Sequence, residues 1–390
     1  MKVLISGGGT GGHFFPAMAF SSYLKAEAKK YFSSEKEVQI VFVGCKRGLE
    51  RRVIEQYHRR NVLPLDEFFF LDSEPFVRSY IKRLKFLSLA RMGLKNYFAY
   101  KTAFRIMKEY KPDCVISFGG YASFPVAFAA SRLGIPLFLH EQNTYAGLTN
   151  RIFARYAEKV FLSFPREYTR GFPNSLPDKK FVFTGLPLRE EVCAWKRITR
   201  DMAFQAVVSQ SGVMFEGSRP ILLVLGGSGG ASFLNDLIMS NLNSIMENFQ
   251  ILWITGSRDY PWVRKHLIKT GTYEKVAVFQ FLENPGVAYR VADVALSRSG
   301  ASALFEIACF GIPSVFIPFP YASYDHQYHN AVYLKERAGE SVEVIRQEEA
   351  DYTRVVKALM KVIKSGKFEY PTGNPSKKML ESILESLGDR

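Results

Sequence analysis

One structural plan occurs twice in the chain. "KVLISGGGTGGHFFPAMA", from Lys2, runs from a short branched apolar segment into a loop with five glycines in six positions, then into a helix-like stretch. "RPILLVLGGSGGASFLND", from Arg219, repeats that order, with Gly7 and Gly226 set 219 residues apart. An apolar segment feeding a glycine turn and a helix is half of a β–α–β unit, and such units build parallel sheets covered on both faces. Further apolar runs follow each copy: "QIVFVG", "DCVISFGG", "PLFLHE", "KVFLS" and "FVFTG" after the first, "FQILWITG", "KVAVFQF", "DVALSRSG", "PSVFIPF" and "ESVEVI" after the second. The chain therefore reads as α/β, two Rossmann-like parallel-sheet domains facing across a cleft. Residues 190–219 are less periodic, and "PSKKMLESILESLG" predicts a C-terminal helix started by Pro375.

Glycines let backbone approach a ligand closely and admit positive φ, and the helix that follows presents free N–H groups at its positive end. Both loops, 7–12 and 226–230, are thus expected to favour an anion such as phosphate; the alternative is glycine used only for tight strand–helix packing. Gly7-x-Gly9-x-x-Gly12 matches the dinucleotide fingerprint formally, but the second strand ends in Gly44-Cys45-Lys46, without the acid that would hold a ribose. His13 stands at a helix start, where the dipole disfavours imidazolium, so a neutral ring able to accept a proton is expected. The other reading is a histidine that only hydrogen-bonds backbone or phosphate.

Ligands of open α/β sheets bind beyond the carboxyl ends of the strands. Polar clusters stand at four more such places: "FGGYASFP" (118–125), "LHEQNTYAGLTN" (139–150), "SRSGASALFE" (297–306) and "YASYDHQYHNA" (321–331). Asp325, His326 and His329 form no standard metal-ligand spacing. No G-x-S-x-G elbow is present, which excludes the common serine hydrolase pattern. Cys45, Cys114, Cys193 and Cys309 are too scattered for a zinc site or a disulfide framework and fit a reducing compartment.

The 390-residue chain carries a formal net charge of +15, and residues 76–111 account for nine of it, with ten Lys or Arg against one acidic residue. Eight aromatics are interleaved there, without any nucleic-acid-binding module. The stretch predicts two helices, about 77–92 and 95–110, suited to an anionic bilayer surface, with Lys82, Arg83 and Lys85 as membrane contacts. A solvated basic face over an ordinary core is the alternative. No apolar run reaches the roughly 18 residues of a spanning helix, and the start of the chain lacks a signal-peptide core.

"GGTGGHFFPA", "FGGYASFP", "HEQNTYAGLTN", "GLPLR", "GGSGGA", "RSGASALFE" and "DHQYHNA" occur in an order that resembles the MurG family of glycosyltransferases, over roughly residues 1–345. The resemblance implies a GT-B fold. Residues 1–188 would be an acceptor- and membrane-binding domain, 189–373 a donor-nucleotide domain, and a helix at about 374–390 would pack back on the first. It also implies inverting transfer of N-acetylglucosamine from UDP-N-acetylglucosamine to the C4 hydroxyl of the muramoyl sugar of lipid I (undecaprenyl-pyrophosphoryl-muramoyl-pentapeptide), giving lipid II for peptidoglycan synthesis. No metal and no nucleic acid are implied, and the place of action would be peripheral, on anionic lipids at the cytoplasmic face of the bacterial inner membrane.

His13 is the candidate general base; by motif match, Thr10, Gly11, Gly12 and Asn143 would line the cleft and bind the donor. Arg189 and Ser228 would meet the donor diphosphate and the backbone of Leu282 the uracil. Ala301, Ser302, Ala303, Leu304 and Phe305 would continue the donor pocket, Glu306 would hold the ribose and Gln327 the sugar. Three positions depart from the family pattern: Gly229 replaces a glutamine, Ala303 a threonine and Phe305 a serine. The alternatives are another GT-B UDP-sugar transferase on a lipid acceptor such as diacylglycerol, and a non-catalytic nucleotide-sugar-binding protein.

Overall fold

Short runs of branched and aromatic residues with no hydrophilic face suit strands buried on both sides. In the computed structural model, which describes residues 1–31, 38–75, 86–215, 217–227, 229–371 and 373–388, they build two separate sheets. The chain divides into a first unit, Met1–Pro187 with Gly373–Arg390, and a second, Leu188–Thr372.

The first unit has seven parallel strands: β1 (Lys2–Ser6), β2 (Gln39–Cys45), β3 (Glu67–Leu71), β4 (Cys114–Ser117), β5 (Leu137–Glu141), β6 (Lys159–Leu162) and β7 (Phe181–Phe183). Their order is β3-β2-β1-β4-β5-β6-β7. Helices α1 (Gly11–Tyr31), α2 (Leu49–Arg59), α3 (Phe86–Tyr110), α4 (Phe124–Leu133) and α5 (Leu148–Phe153) wind around this sheet. The alternation along β1 shows both faces covered. Val3 and Ile5 enter a core with Phe14 and Phe20 of α1 and with Met379, Leu380 and Ile383 of the C-terminal helix Pro375–Gly388. Leu4 faces the opposite core, against Ala99, Ala103 and Met107 of α3 and Val126 and Ala130 of α4.

The second unit begins with α6 (Glu190–Cys193) and α7 (Arg200–Ser211), which occupy the less periodic stretch. Its strands are β8 (Ile221–Leu225), β9 (Gln250–Ile254), β10 (Val276–Phe279), β11 (Val294–Ser297), β12 (Ser314–Phe316) and β13 (Val342–Val344), parallel and ordered β10-β9-β8-β11-β12-β13. Helices α8 (Ser232–Ser240), α9 (Leu242–Asn248), α10 (Tyr260–Lys269), α11 (Gly286–Val291), α12 (Ala301–Phe310), α13 (His326–Ala338) and α14 (Tyr352–Ser365) alternate with them. Each sheet reverses its strand order beside its first strand, between β1 and β4 and between β8 and β11. That reversal is where a doubly wound sheet opens a crevice at its strand ends, and both glycine loops leave from it.

Two expectations change. Residues 86–110 form one continuous helix without the break expected near 93–94, because Gly93 lies within a helix whose Ala99, Ala103 and Met107 are already fixed by the core; residues 77–85 of the first expected helix lie outside the described residues. Strand β3 was not expected; it is an edge strand whose outward residues are partly exposed, so its aromatic run "EFFFL" lacks the closed apolar look of the others.

Candidate active site

At the end of β1, Ser6 turns its hydroxyl inward, onto Val43 O (2.9 Å) and Ser123 Oγ (3.0 Å), and the glycine loop begins. The fully buried carboxylate of Glu50, in the first turn of α2, reaches this loop. Gly9 N–H donates to both of its oxygens (3.0 and 3.1 Å), and Cys45 N–H donates to Oε1 (2.9 Å). A side chain at Gly8, Gly44 or Gly48 would strike Glu50, and one at Gly9, where φ is +86°, would strike the Tyr121 ring. Part of the loop's bare backbone is thus met by a carboxylate of the protein itself.

Thr10 follows, exposed, with its Oγ1 2.8 Å from His13 Nδ1. The imidazole lies beside the Gly119–Gly120 turn after β4, where both glycines have φ of +81° and a Cβ would meet the ring. Gly11 is buried and Gly12 half-buried at the start of α1. The structure brings His13, Thr10 and the second glycine turn together, and adds Glu50, which the sequence does not single out. The available signal was an acid closely preceded by Gly44 and Gly48.

Beneath these loops lies a buried polar layer from the "HEQN" segment. Burial pushes the His140 pKa down to about 3, so the ring is neutral; it stacks on Phe118 and receives Gln142 Nε2 at Nδ1 (3.1 Å). Burial pushes the Glu141 carboxyl up, against the pull of the N–H groups of Gly147 (2.8 Å) and Asn143 (3.0 Å) and of Asn150 Nδ2 (2.8 Å). These residues shape the loop, and only Asn143 of the four is half-exposed at the strand end.

In the second unit the corresponding loop is open. Among the described residues, nothing lies within 4 Å of a Cβ built on Gly227, Gly229 or Gly300. Gly230 packs against the Thr255 carbonyl and Gly256, which closes the turn behind the loop. The acid following β9, Asp259, grips the start of α8 instead of the loop, accepting from Ser232 Oγ (2.7 Å) and Asn235 Nδ2 (2.8 Å). Burial raises its carboxyl, and those hydrogen bonds bring it below the usual range.

The loop after β11 is adjacent, tied by Arg298 N–H to Leu225 O (3.3 Å). It leads into α12, whose first turn has no side-chain cap, and the Ser302 hydroxyl there is buried without a partner among the described residues. An uncapped helix start of this kind is suited to an anion. Gln327 joins it to the next strand end, its Oε1 accepting Phe319 N–H (3.0 Å) and its carbonyl accepting Ser299 Oγ (2.8 Å). Just before it Tyr324 and Asp325 adopt left-handed φ (55° and 54°), and Asp325 pairs with Arg346 (3.0 Å).

Arg189, before α6, is buried against Glu306 of α12 (3.3 Å) and donates to Glu283 O (2.9 Å). Tyr289, whose phenol burial pushes well above its usual range, donates to the other oxygen of Glu306 (2.8 Å). Expected to meet ribose, the Glu306 carboxylate is engaged on both oxygens within the unit. Leu282 is buried in the loop after β10. Ala301 and Leu304 are buried and Ala303 half-buried, while Phe305 turns into the core edge-on to Tyr370 (5.9 Å, 62°). The serine-to-phenylalanine departure is therefore a change of packing. Ser228, Lys82, Arg83 and Lys85 lie outside the described residues. Among the described residues no three His, Cys, Asp or Glu side chains could hold a metal ion.

Residues 3–162 match the glycosyltransferase family 28 N-terminal domain, and residues 221–387 match its C-terminal domain. The chain belongs to glycosyltransferase family 28. Curated relatives agree over nearly their whole length. The family member from Halothermothrix orenii is 34% identical, with 97% of this chain and 95% of the relative covered. That from Aquifex aeolicus is 34% identical, with 93% and 92% covered. Both are named UDP-N-acetylglucosamine–N-acetylmuramyl-(pentapeptide) pyrophosphoryl-undecaprenol N-acetylglucosamine transferase. The fold is GT-B, shared with Acinetobacter baumannii MurG (TM-score 0.64, 24% identity, 98% and 99% covered). It is also shared with the UDP-GlcNAc 2-epimerase of Neisseria meningitidis, solved with UDP-GlcNAc bound (TM-score 0.68, 16% identity, 99% and 100% covered).

Proposed function

We propose that this family 28 enzyme moves N-acetylglucosamine from UDP-N-acetylglucosamine to the C4 hydroxyl of the muramoyl sugar of lipid I, with inversion, yielding lipid II for peptidoglycan synthesis. The observation that carries it is the second unit's open loop beside an uncapped α12, at the strand-order reversal. Amides of Gly227, Gly229, Ala301 and Ser302, with Ser228 and the Ser302 hydroxyl, hold the donor diphosphate there and stabilise the charge that grows as UDP departs. That service needs no metal ion. Arg189 steadies the diphosphate side, the Leu282 backbone meets uracil, Gln327 meets the sugar, and Glu306 trades a present partner for ribose hydroxyls.

In the first unit Thr10 Oγ1 accepts the Nδ1 proton of His13, which leaves Nε2 as the base that takes the C4 hydroxyl proton. As oxygen attacks the anomeric carbon, the bond to the β-phosphate breaks and UDP leaves with that electron pair. The acceptor's lipid is met at the cytoplasmic membrane face. No helix among the described residues is long and apolar enough to cross a membrane, and α3 exposes Leu94 (58%), Tyr97 (50%) and Phe98 (57%) among Arg91, Lys101 and Arg105. Anionic lipid attracts such a face and the aromatics enter shallowly.

Turnover of labelled UDP-N-acetylglucosamine on vesicles of anionic lipid carrying a lipid I analogue tests this reading. Product is expected, and the triple variant Lys82→Glu, Arg83→Glu, Lys85→Glu should leave the vesicles. Product with diacylglycerol but none with the lipid I analogue would transfer the enzyme to the other acceptor class.

A further inference from the structure

The first glycine loop lies next to the proposed base, yet it is built around a carboxylate. We infer that Glu50 is a positioning residue for the proposed reaction: it is the resident carboxylate of that loop and holds Gly9 so that Thr10 can present His13. This rests on the function proposed above.

Three observations support it. Glu50 is fully buried and accepts from the half-buried Gly9 N–H and from the buried Cys45 N–H, a donor that would otherwise be left unpaired in the interior. A carboxylate only accepts, so it can meet several N–H groups at once, whereas an amide would turn one donor against another. Secondly, the surrounding sequence is moulded to it: Gly8, Gly44 and Gly48 are each places where a Cβ would collide with Glu50. Thirdly, the loop is clamped from the opposite side. The Tyr121 ring closes on Gly9, and Gly120 approaches the Gly8 carbonyl so closely that no Cβ fits.

Gly9 thus sits between a fixed carboxylate and a fixed ring, and the next residue, Thr10, holds His13 Nδ1 at 2.8 Å. Glu50 therefore bears on the base through two residues of stiffened backbone. The Gly9 amide is thereby taken by the protein itself.

The test uses the full-length protein with UDP-N-acetylglucosamine and a short-chain lipid I analogue. Glu50→Gln should lower kcat at least tenfold while KM for UDP-N-acetylglucosamine stays within twofold, since the second unit holds the donor. Thr10→Val should lower kcat comparably. Because both break one chain of contacts, the double variant should be no more than about threefold below the worse single variant, where independent effects would multiply. Circular dichroism checks the fold, and Glu50→Asp, which keeps the charge but withdraws it by one methylene, should fall in the same direction and serves if Glu50→Gln does not fold. Multiplicative losses, a folded Glu50 variant with unchanged kcat, or a donor KM rising in step with the loss would overturn the inference. Wild-type turnover with unaffected variants removes this inference alone; no turnover by the wild type removes the function reading and this one with it.

Discussion

At the end of β1 the Gly9 amide meets a buried carboxylate, whereas at the end of β8 Gly227 and Gly229 face open space. Both loops follow a first strand, carry the same density of glycine and lie at a reversal of strand order. The difference comes from the first acid after the second strand. Glu50 lies inside the first turn of α2 and folds back on the loop; Asp259 stands at the cap of α10 and spends itself on Ser232 and Asn235. Glycine spacing therefore tells that backbone is bare, and a neighbouring side chain decides whether the bareness is offered to a ligand or used internally.

The largest expected effect comes from making the second loop resemble the first. Gly229→Asp places a carboxylate in open space, so the protein should fold, but its affinity for UDP measured by calorimetry should drop at least 100-fold, about 2.7 kcal/mol. Unchanged affinity would mean the diphosphate binds elsewhere. Alanine substitution sharpens the contrast in stability. Gly8→Ala must displace Glu50 and should cost the first unit about 2 kcal/mol, while Gly229→Ala should stay within about 0.5 kcal/mol. All three tryptophans, Trp195, Trp253 and Trp262, lie in the second unit, so their fluorescence reports that unit by itself while circular dichroism reports both. Equal costs in the two variants would erase the distinction.

A further effect is a pH slope in the first unit. With a folded pKa of about 3, His140 stays neutral while the unfolded chain begins to take up its proton below about 6.5. The folded pKa is the lower one, so this stability is complete above pH 6.5 and falls as pH drops towards 3. The limiting slope is about 1.4 kcal/mol per pH unit. Urea unfolding between pH 7 and 5 should show a shallower dependence for His140→Leu than for the wild type. Parallel curves would show that the buried imidazole has no such part.

Most of the fold is readable from the chain because a strand buried on both faces leaves an apolar run that polar or glycine residues must end; β1, β8 and β11 are of this kind. Edge strand β3 is not, since exposure on alternate residues lets Glu67 into it. Gly93 marks a break only if nothing else fixes the helix, and the core contacts of α3 do so. In the site, Thr10, His13, Gly119 and Gly120 are legible because the turn chemistry places them at strand ends. Glu50 and the Arg189–Glu306–Tyr289 group are not, because a buried charge is recognised by its partners, and those are brought together from distant segments.

The C-terminal helix gives the chain an order of assembly. Met379, Leu380 and Ile383 are fully or almost fully buried beside residues from β1 and α1, and the entire second unit lies between them in the chain. On the ribosome the opening 187 residues must wait, with part of their apolar surface uncovered, until residue 383 has emerged. The intervening unit has all its residues first, so it can finish folding before the one that started synthesis ahead of it.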